Sequence, residues 1–257
     1  MHIIPLPAFR DNYIWLMRNA HHALVVDPGD AQPVIDYLVR ERLQLAAILI
    51  THHHADHVGG LGALLARWPV PVHGPFNESI DGVDHPVAEG DMVRIDVLDV
   101  EFDVLDIPAH TAGHIAFVSR DASARVLFCG DTLFSAGCGR LFEGTPAQLA
   151  GSLAKLTALP DDTQVYCTHE YTLSNLAFAT VAEPHNPARD AYAEHCKALR
   201  ETHQPTLPST IGLEKAINPF LRSDQTQIHD QVAAQTGARP QDAQACLAAL
   251  RAWKDNF

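Results

Sequence analysis

The sequence predicts an α/β layered domain over residues 1–169, followed by a smaller α-helical domain over residues 170–257. Three observations carry that expectation. Successive apolar, β-branched runs in the first part each stop at a histidine or an aspartate, the habit of layered α/β folds whose post-strand loops build ligand sites. One such run, Ala46 to Ile50, empties into a cluster of imidazoles and then into a helical pattern. Beyond His169 the β-leaning runs cease, and four stretches of helical periodicity follow, jointed by Pro184, Pro187, Pro205, Pro208 and Pro219.

Taken in order, Ile3 to Pro7, Tyr13 to Met17 and Ala23 to Val26 are short strands parted by turn residues (Asp11-Asn12, Asn19, Asp27-Pro28-Gly29), an antiparallel opening. A helix is expected from Pro33 to Arg42, and strands at Ala46 to Ile50 and Val70 to His73. Asp91 to Ile107 alternates as one or two strands. Ile115 to Ser119 and Arg125 to Cys129 follow, the latter ending in Gly130-Asp131-Thr132. Pro146 to Leu159 is amphipathic with proline at its start, and Gln164 to Cys167 delivers Thr168-His169-Glu170. The tail then holds helices at Leu173 to Val181, Ala188 to Thr202, Asp224 to Thr236 and Pro240 to Trp253.

The stretch Ile48-Leu-Ile-Thr-His-His-His-Ala-Asp-His-Val-Gly-Gly60 organises the rest. In extended backbone, residues two apart share a side, so His52 and His54 can meet one ion while His53 faces away. Asp56 and His57, past the bend, point elsewhere. Gly59 and Gly60 are expected to let the chain turn sharply, and Leu61, Leu64, Leu65 and Trp68 continue at helical spacing. A loop held between strand and helix gives metal ligands fixed geometry. Purification tags are terminal and lack the carboxylate, so a tag is not the explanation.

Composition bounds the function. At 47% hydrophobic and 19% charged, the 257 residues match a globular protein, and no segment approaches the roughly 20 apolar residues of a membrane helix. The opening Met-His-Ile-Ile-Pro-Leu-Pro has neither a basic leader nor a long apolar region, pointing to the cytoplasm. A monomer is expected. Five scattered cysteines without Cys-x-x-Cys suit reduced, packed thiols. A formal charge of −13 repels polyanions and counts against nucleic acid, while leaving room for a small anion among local cations.

His52-x-His54-x-Asp56-His57, His110-Thr-Ala-Gly-His114, Gly130-Asp131-Thr132-Leu133-Phe134 and His169-Glu170-Tyr171 occur in the order and spacing of the metallo-β-lactamase-fold hydrolases. Pro7-Ala8-Phe9-Arg10-Asp11-Asn12-Tyr13, the run Cys138-Gly-Arg-Leu-Phe-Glu-Gly-Thr145 and the ending Arg251-Ala-Trp-Lys-Asp-Asn-Phe257 narrow this further. The chain resembles the glyoxalase II, or hydroxyacylglutathione hydrolase, family over essentially its full length. The resemblance implies a four-layer αββα sandwich followed by the helical domain. It also implies cleavage of S-D-lactoylglutathione to D-lactate and glutathione, in methylglyoxal detoxification.

Carried over position by position, the resemblance gives one divalent metal ion to His52, His54 and His110, and a second to Asp56, His57 and His169, with Asp131 bridging. Zinc is the first expectation for both ions, with iron or manganese as alternatives; imidazole and carboxylate suit all three, and no thiolate is present. Water between two such ions can ionise near neutral pH and attack the thioester carbonyl, which assigns Asp56 and Asp131 catalytic as well as ligand roles. Arg140, Tyr171, Asn175, Arg251 and Lys254 are implied to hold the glutathione part, whose carboxylates suit Arg and Lys. His114 is placed to orient a ligand. Arg140, Phe142 and Thr168 stand where family members often carry Lys, Tyr and Gly, and Phe142 removes one hydroxyl from the peptide-binding side.

Rivals of the same fold are a nuclease, which needs a basic groove this acidic chain lacks, and an exported β-lactamase. A sulfur dioxygenase shares these histidines with a single iron; the tail with Arg251 and Lys254 favours the hydrolase. A metal-binding scaffold without turnover predicts a missing ligand, and none of the seven is missing.

Overall fold

The computed structural model describes residues 1–122 and 124–257. Strands β1 (His2–Ala8), β2 (Asn12–Arg18) and β3 (His22–Val26) form the antiparallel opening, and helix α1 (Ala31–Glu41) follows. Asp30 caps α1 through Gln32 N, and Arg42 closes it in the left-handed conformation. Next come β4 (Gln44–Leu49), a helical turn α2 (Ala55–Val58), helix α3 (Leu61–Arg67), and strands β5 (Val72–Pro75) and β6 (His85–Val87). The Asp91 to Ile107 stretch divides into β7 (Met92–Ile95) and β8 (Val100–Asp106). Then follow β9 (Ile115–Ser119), β10 (Val126–Gly130), a short hairpin β11 (Leu133–Phe134) and β12 (Gly137–Cys138), helix α4 (Pro146–Thr157) and β13 (Gln164–Cys167). The tail carries α5 (Thr172–Ala182), α6 (Pro187–Glu201), β14 (Ser209–Thr210), α7 (Ile211–Ile217), α8 (Thr226–Thr236) and α9 (Ala243–Asp255).

Two mixed six-stranded sheets result, ordered β1-β2-β3-β4-β5-β6 and β14-β13-β10-β9-β8-β7. Alternation along the strands explains the layers. Ile14, Leu16, Val25, Ile48 and Ile50 pack with Val34 and Leu38 of α1 and with Leu61 and Leu64 of α3. The intervening Tyr13, Trp15, Met17, Leu24, Val26, Ala47 and Leu49 pack against the second sheet through Phe102, Phe117 and Phe128. Trp15 Nε1 donates to Cys167 O at 2.9 Å, tying the two sheets together. Leu149, Leu153 and Leu156 of α4 join the same core, completing an αββα sandwich. Helices α5 to α9 form the region beyond it.

Short elements escape sequence reading. Helix α7 and strand β14 lie between prolines that signal joints, and β6, β11 and β12 are too brief for a period to show. Gly59 and Gly60 differ from expectation in their reason. Both have ordinary right-handed backbone, φ −59° and −83°. A Cβ on Gly59 would stand 2.6 Å from Gly29 O, and one on Gly60 2.4 Å from Pro28 O. They permit backbone to touch backbone rather than an unusual turn.

Candidate metal centre

The strand ends meet at one edge of the sandwich. β4 releases Thr51 to His54, the loop after β8 supplies His110, β10 leads to Asp131, and β13 to His169. His54 Nδ1 lies 3.1 Å from both His52 Nε2 and His110 Nε2. Atoms about 2.0–2.1 Å from one tetrahedral zinc stand about 3.3 Å apart, so this trio has the spacing of a ligand set. Asp56 and His57, turned away on α2, face a second point: Asp56 Oδ2 is 3.7 Å from His57 Nε2 and 3.5 Å from His169 Nε2. Asp131 reaches both groups. Its Oδ1 is 3.5 Å from His57 Nε2, and its Oδ2 is 3.4 Å from His110 Nε2 and 3.2 Å from His169 Nε2. All seven predicted ligand residues converge: His52, His54 and His110 form one group, Asp56, His57 and His169 another, and Asp131 with His52 and His57 a third that overlaps both.

The donors fit a cation. His57 Nε2 and Asp131 Oδ1 are fully buried without a hydrogen-bond partner, a cost that ligation would remove. Burial, with His57 and His114 nearby, holds His52 well below its ordinary imidazole pKa, and burial lowers His54 and His110 too. Neutral imidazoles are the form a metal needs. Burial works against the charges of His57 and Asp131, yet Asp131 and Asp27 raise His57 well above the usual value, while His57 and His169 hold Asp131 well below its own.

The far ring nitrogens are fixed as well. Asp27 Oδ2 lies 3.0 Å from His57 Nδ1, Asp11 Oδ1 2.8 Å from His169 Nδ1, and Arg140 O 2.9 Å from His110 Nδ1. Such partners set tautomer and ring orientation. Asn12 Nδ2 donates to Asp56 Oδ2 at 3.0 Å. His114 Nε2 accepts from Asp131 N at 3.1 Å, and its ring stacks on His52 at 4.5 Å. Asp11, Asn12 and Asp27 carry no ligand pattern of their own in the sequence. The first two lie in the Pro7 to Tyr13 run and Asp27 in a turn, so only the resemblance of that run marked any of them.

A cavity of about 810 Å³ opens beside the cluster, and Arg140, Tyr171, Asn175, Arg251 and Lys254 all line it. Their states differ. Arg140 is largely exposed and 3.5 Å from Asp255. The Tyr171 ring lies parallel to His169 at 4.6 Å. Asn175 is buried and donates to Ser135 O at 3.0 Å. Arg251 is only 4% exposed and spends Nη1 on Cys138 O at 2.8 Å and Nη2 on Asp255 at 3.0 Å. It is therefore no solvated helix end. Lys254 sits over the Phe178 and Phe257 rings, and burial lowers its pKa.

Facing mixed sheets between helices, with a histidine and aspartate cluster at the strand ends, define a protein of the metallo-β-lactamase superfamily, and residues 8–169 match that family's model. Residues 170–257 match the model described as hydroxyacylglutathione hydrolase C-terminus. The hydroxyacylglutathione hydrolase of Chromohalobacter salexigens is 54% identical over 99% of both chains, and that of Nitrosomonas europaea 49% identical over 100% of this chain and 97% of its own. The chain belongs to the hydroxyacylglutathione hydrolase family. Among solved structures, ETHE1 from Myxococcus xanthus superposes with a TM-score of 0.66 at 26% identity, covering 99% of this chain and 100% of the other.

Proposed function

We propose that the chain hydrolyses S-(2-hydroxyacyl)glutathione thioesters, taking S-D-lactoylglutathione to D-lactate and glutathione. The observation that carries this reading is the pair of ligand triads sharing Asp131 at the wall of a cavity that also presents Arg140 and Lys254. His52, His54 and His110 would hold one divalent ion and Asp56, His57 and His169 the other, with zinc the first choice. When bound, the ions would supply water ionised near neutral pH and positive charge for the carbonyl oxygen.

The chain's own residues do the remainder. Phe142 lies roughly perpendicular to His54 and His110, at 5.6 and 5.2 Å, and Tyr171 stacks on His169, so aromatic rings border the cluster on its cavity side. Asp56, steadied by Asn12 at the cavity wall, would orient the attacking water by hydrogen bonding while it holds its ion. Arg140 and Lys254 offer cations to the glutathione carboxylates. A thiol of pKa about 8.5 leaves as thiolate, so no protein acid is needed for departure. Among the described residues no helix is long and apolar enough to cross a membrane. The five buried free thiols suit a reducing compartment, and we place the enzyme in the cytoplasm as a monomer.

Metal analysis of the purified protein, with assays on S-D-lactoylglutathione, a β-lactam, RNA and glutathione persulfide, tests the proposal. Turnover of the first alone is expected, and chelation should abolish it. His54→Ala should lose bound metal and lower kcat by more than the roughly 10–100-fold typical of removing an outer-sphere partner. Unchanged kcat in that variant would refute the ligand assignment.

A further inference from the structure

His53 is the middle imidazole of the ligand loop and belongs to neither triad. Its two ring nitrogens instead face two carboxylates: Nδ1 is 3.0 Å from Glu78 Oε2, and Nε2 is 3.3 Å from Glu143 Oε1. Glu78 is almost wholly buried at its side chain, and its Oε1 accepts from Thr111 Oγ1 at 2.5 Å. Glu143 Oε2 accepts from Ala112 N at 2.8 Å. One ring thereby lies within ion-pair distance of two carboxylates, of which Glu78 holds Thr111 and Glu143 holds Ala112, just after His110; Glu143 also belongs to the segment 139–144 that carries Arg140 and Phe142.

That last segment has no regular secondary structure of its own and lies between β12 and α4. It is pressed onto the site. Phe142 N donates to His110 O at 3.3 Å, and a Cβ on Gly144 would stand 2.4 Å from Ala109 Cα, so backbone meets backbone there. Glu143, between these two contacts, supplies the side-chain tie to the ligand loop.

We propose that His53 is a positioning residue for substrate binding: seated beside the buried Glu78, it meets Glu143 and so fixes segment 139–144, so that Arg140 and Phe142 stand ready beside the ligand cluster. The inference deepens the hydrolase reading and rests on it for the identity of the bound molecule. If the tie is cut and the competent arrangement falls to about a tenth of the population, apparent affinity falls about tenfold while the bound complex reacts as before.

The test compares metal-loaded wild type, His53→Ala, Glu143→Gln and the double variant. KM for S-D-lactoylglutathione should rise about 5–10-fold in either single variant, with kcat within about twofold and metal content unchanged. The double variant should be no worse than the singles, since both cut one link. Amide hydrogen exchange at residues 139–144 should quicken while exchange in β4 and β10 does not. Unchanged KM and exchange, additive losses, or a fall in kcat that tracks lost metal would each overturn the proposal. If the wild type hydrolyses no glutathione thioester, the hydrolase reading fails, and exchange at 139–144 in His53→Ala still decides whether the tie exists.

Discussion

The Asp27 carboxylate spends both oxygens on the ligand loop. Oδ1 accepts from Thr51 N at 2.8 Å, and Oδ2 accepts from Thr51 Oγ1 at 2.7 Å while standing 3.0 Å from His57 Nδ1. Its backbone is held at φ +51°, in the left-handed region, which costs a non-glycine residue energy and persists only where surroundings demand it. Asp27→Ala should weaken metal binding roughly 10–100-fold, because His57 loses the partner that aims its Nε2. Titration with zinc against a chromophoric chelator measures this, and an unaltered affinity would show that Thr51 alone sets the loop. The candidate ligands are legible because they sit in short motifs, most of them just past a strand end and Asp56 and His57 on the helical turn α2 that follows β4. Asp27 is not, since Asp27-Pro28-Gly29 is an adequate turn by itself and its partners lie 24 and 30 residues away.

Among the elements, apolar runs of four or five residues with clear turn residues at their ends could be read from sequence; β9 and β13 begin and end where those runs place them. The hairpin β11–β12 could not. Two-residue strands carry no period, and what holds this one comes from the helical region. Asn218 Nδ2 donates to Phe134 O at 3.2 Å, Gly137 O at 2.9 Å and Glu214 Oε2 at 3.0 Å, while Ala136 N donates to that same oxygen at 2.8 Å. Asn175 takes Ser135 O and Arg251 takes Cys138 O. The clamp matters because the hairpin joins Asp131 to Arg140, whose carbonyl orients His110. Leaving buried acceptors unpaired costs about 1–3 kcal/mol. Asn218→Ala should therefore lower unfolding free energy by about 2–3 kcal/mol, read from denaturant midpoints at constant slope. Stability equal to wild type would mean that the hairpin stands unaided.

Over the whole molecule, the change from sheets to helices near residue 170 suggests two units, but the apolar contacts do not divide there. One continuous core joins Phe102, Phe117 and Phe128 of the second sheet and Leu149, Leu153 and Leu156 of α4 to Phe178, Phe220, Ile228, Val232, Leu247 and Leu250 of the tail. Periodicity told which face of each helix is apolar, not which surface covers it. Burying a Leu or Phe contributes about 1.5–3 kcal/mol, so uncovering even two or three leucines of α4 removes a large part of the net stability of an ordinary domain. The two regions should accordingly unfold in one cooperative transition, with circular dichroism at helix wavelengths and tryptophan fluorescence from Trp15 and Trp68 in the sandwich and Trp253 in α9 giving the same midpoint. A fragment of residues 1–169 should be insoluble or molten, binding a hydrophobic dye and failing to hold two metal ions, because α4 and the hairpin lose their cover together. Two separated transitions, or a soluble fragment with full metal content, would show instead that the helical region is an appendage to a self-sufficient metal centre.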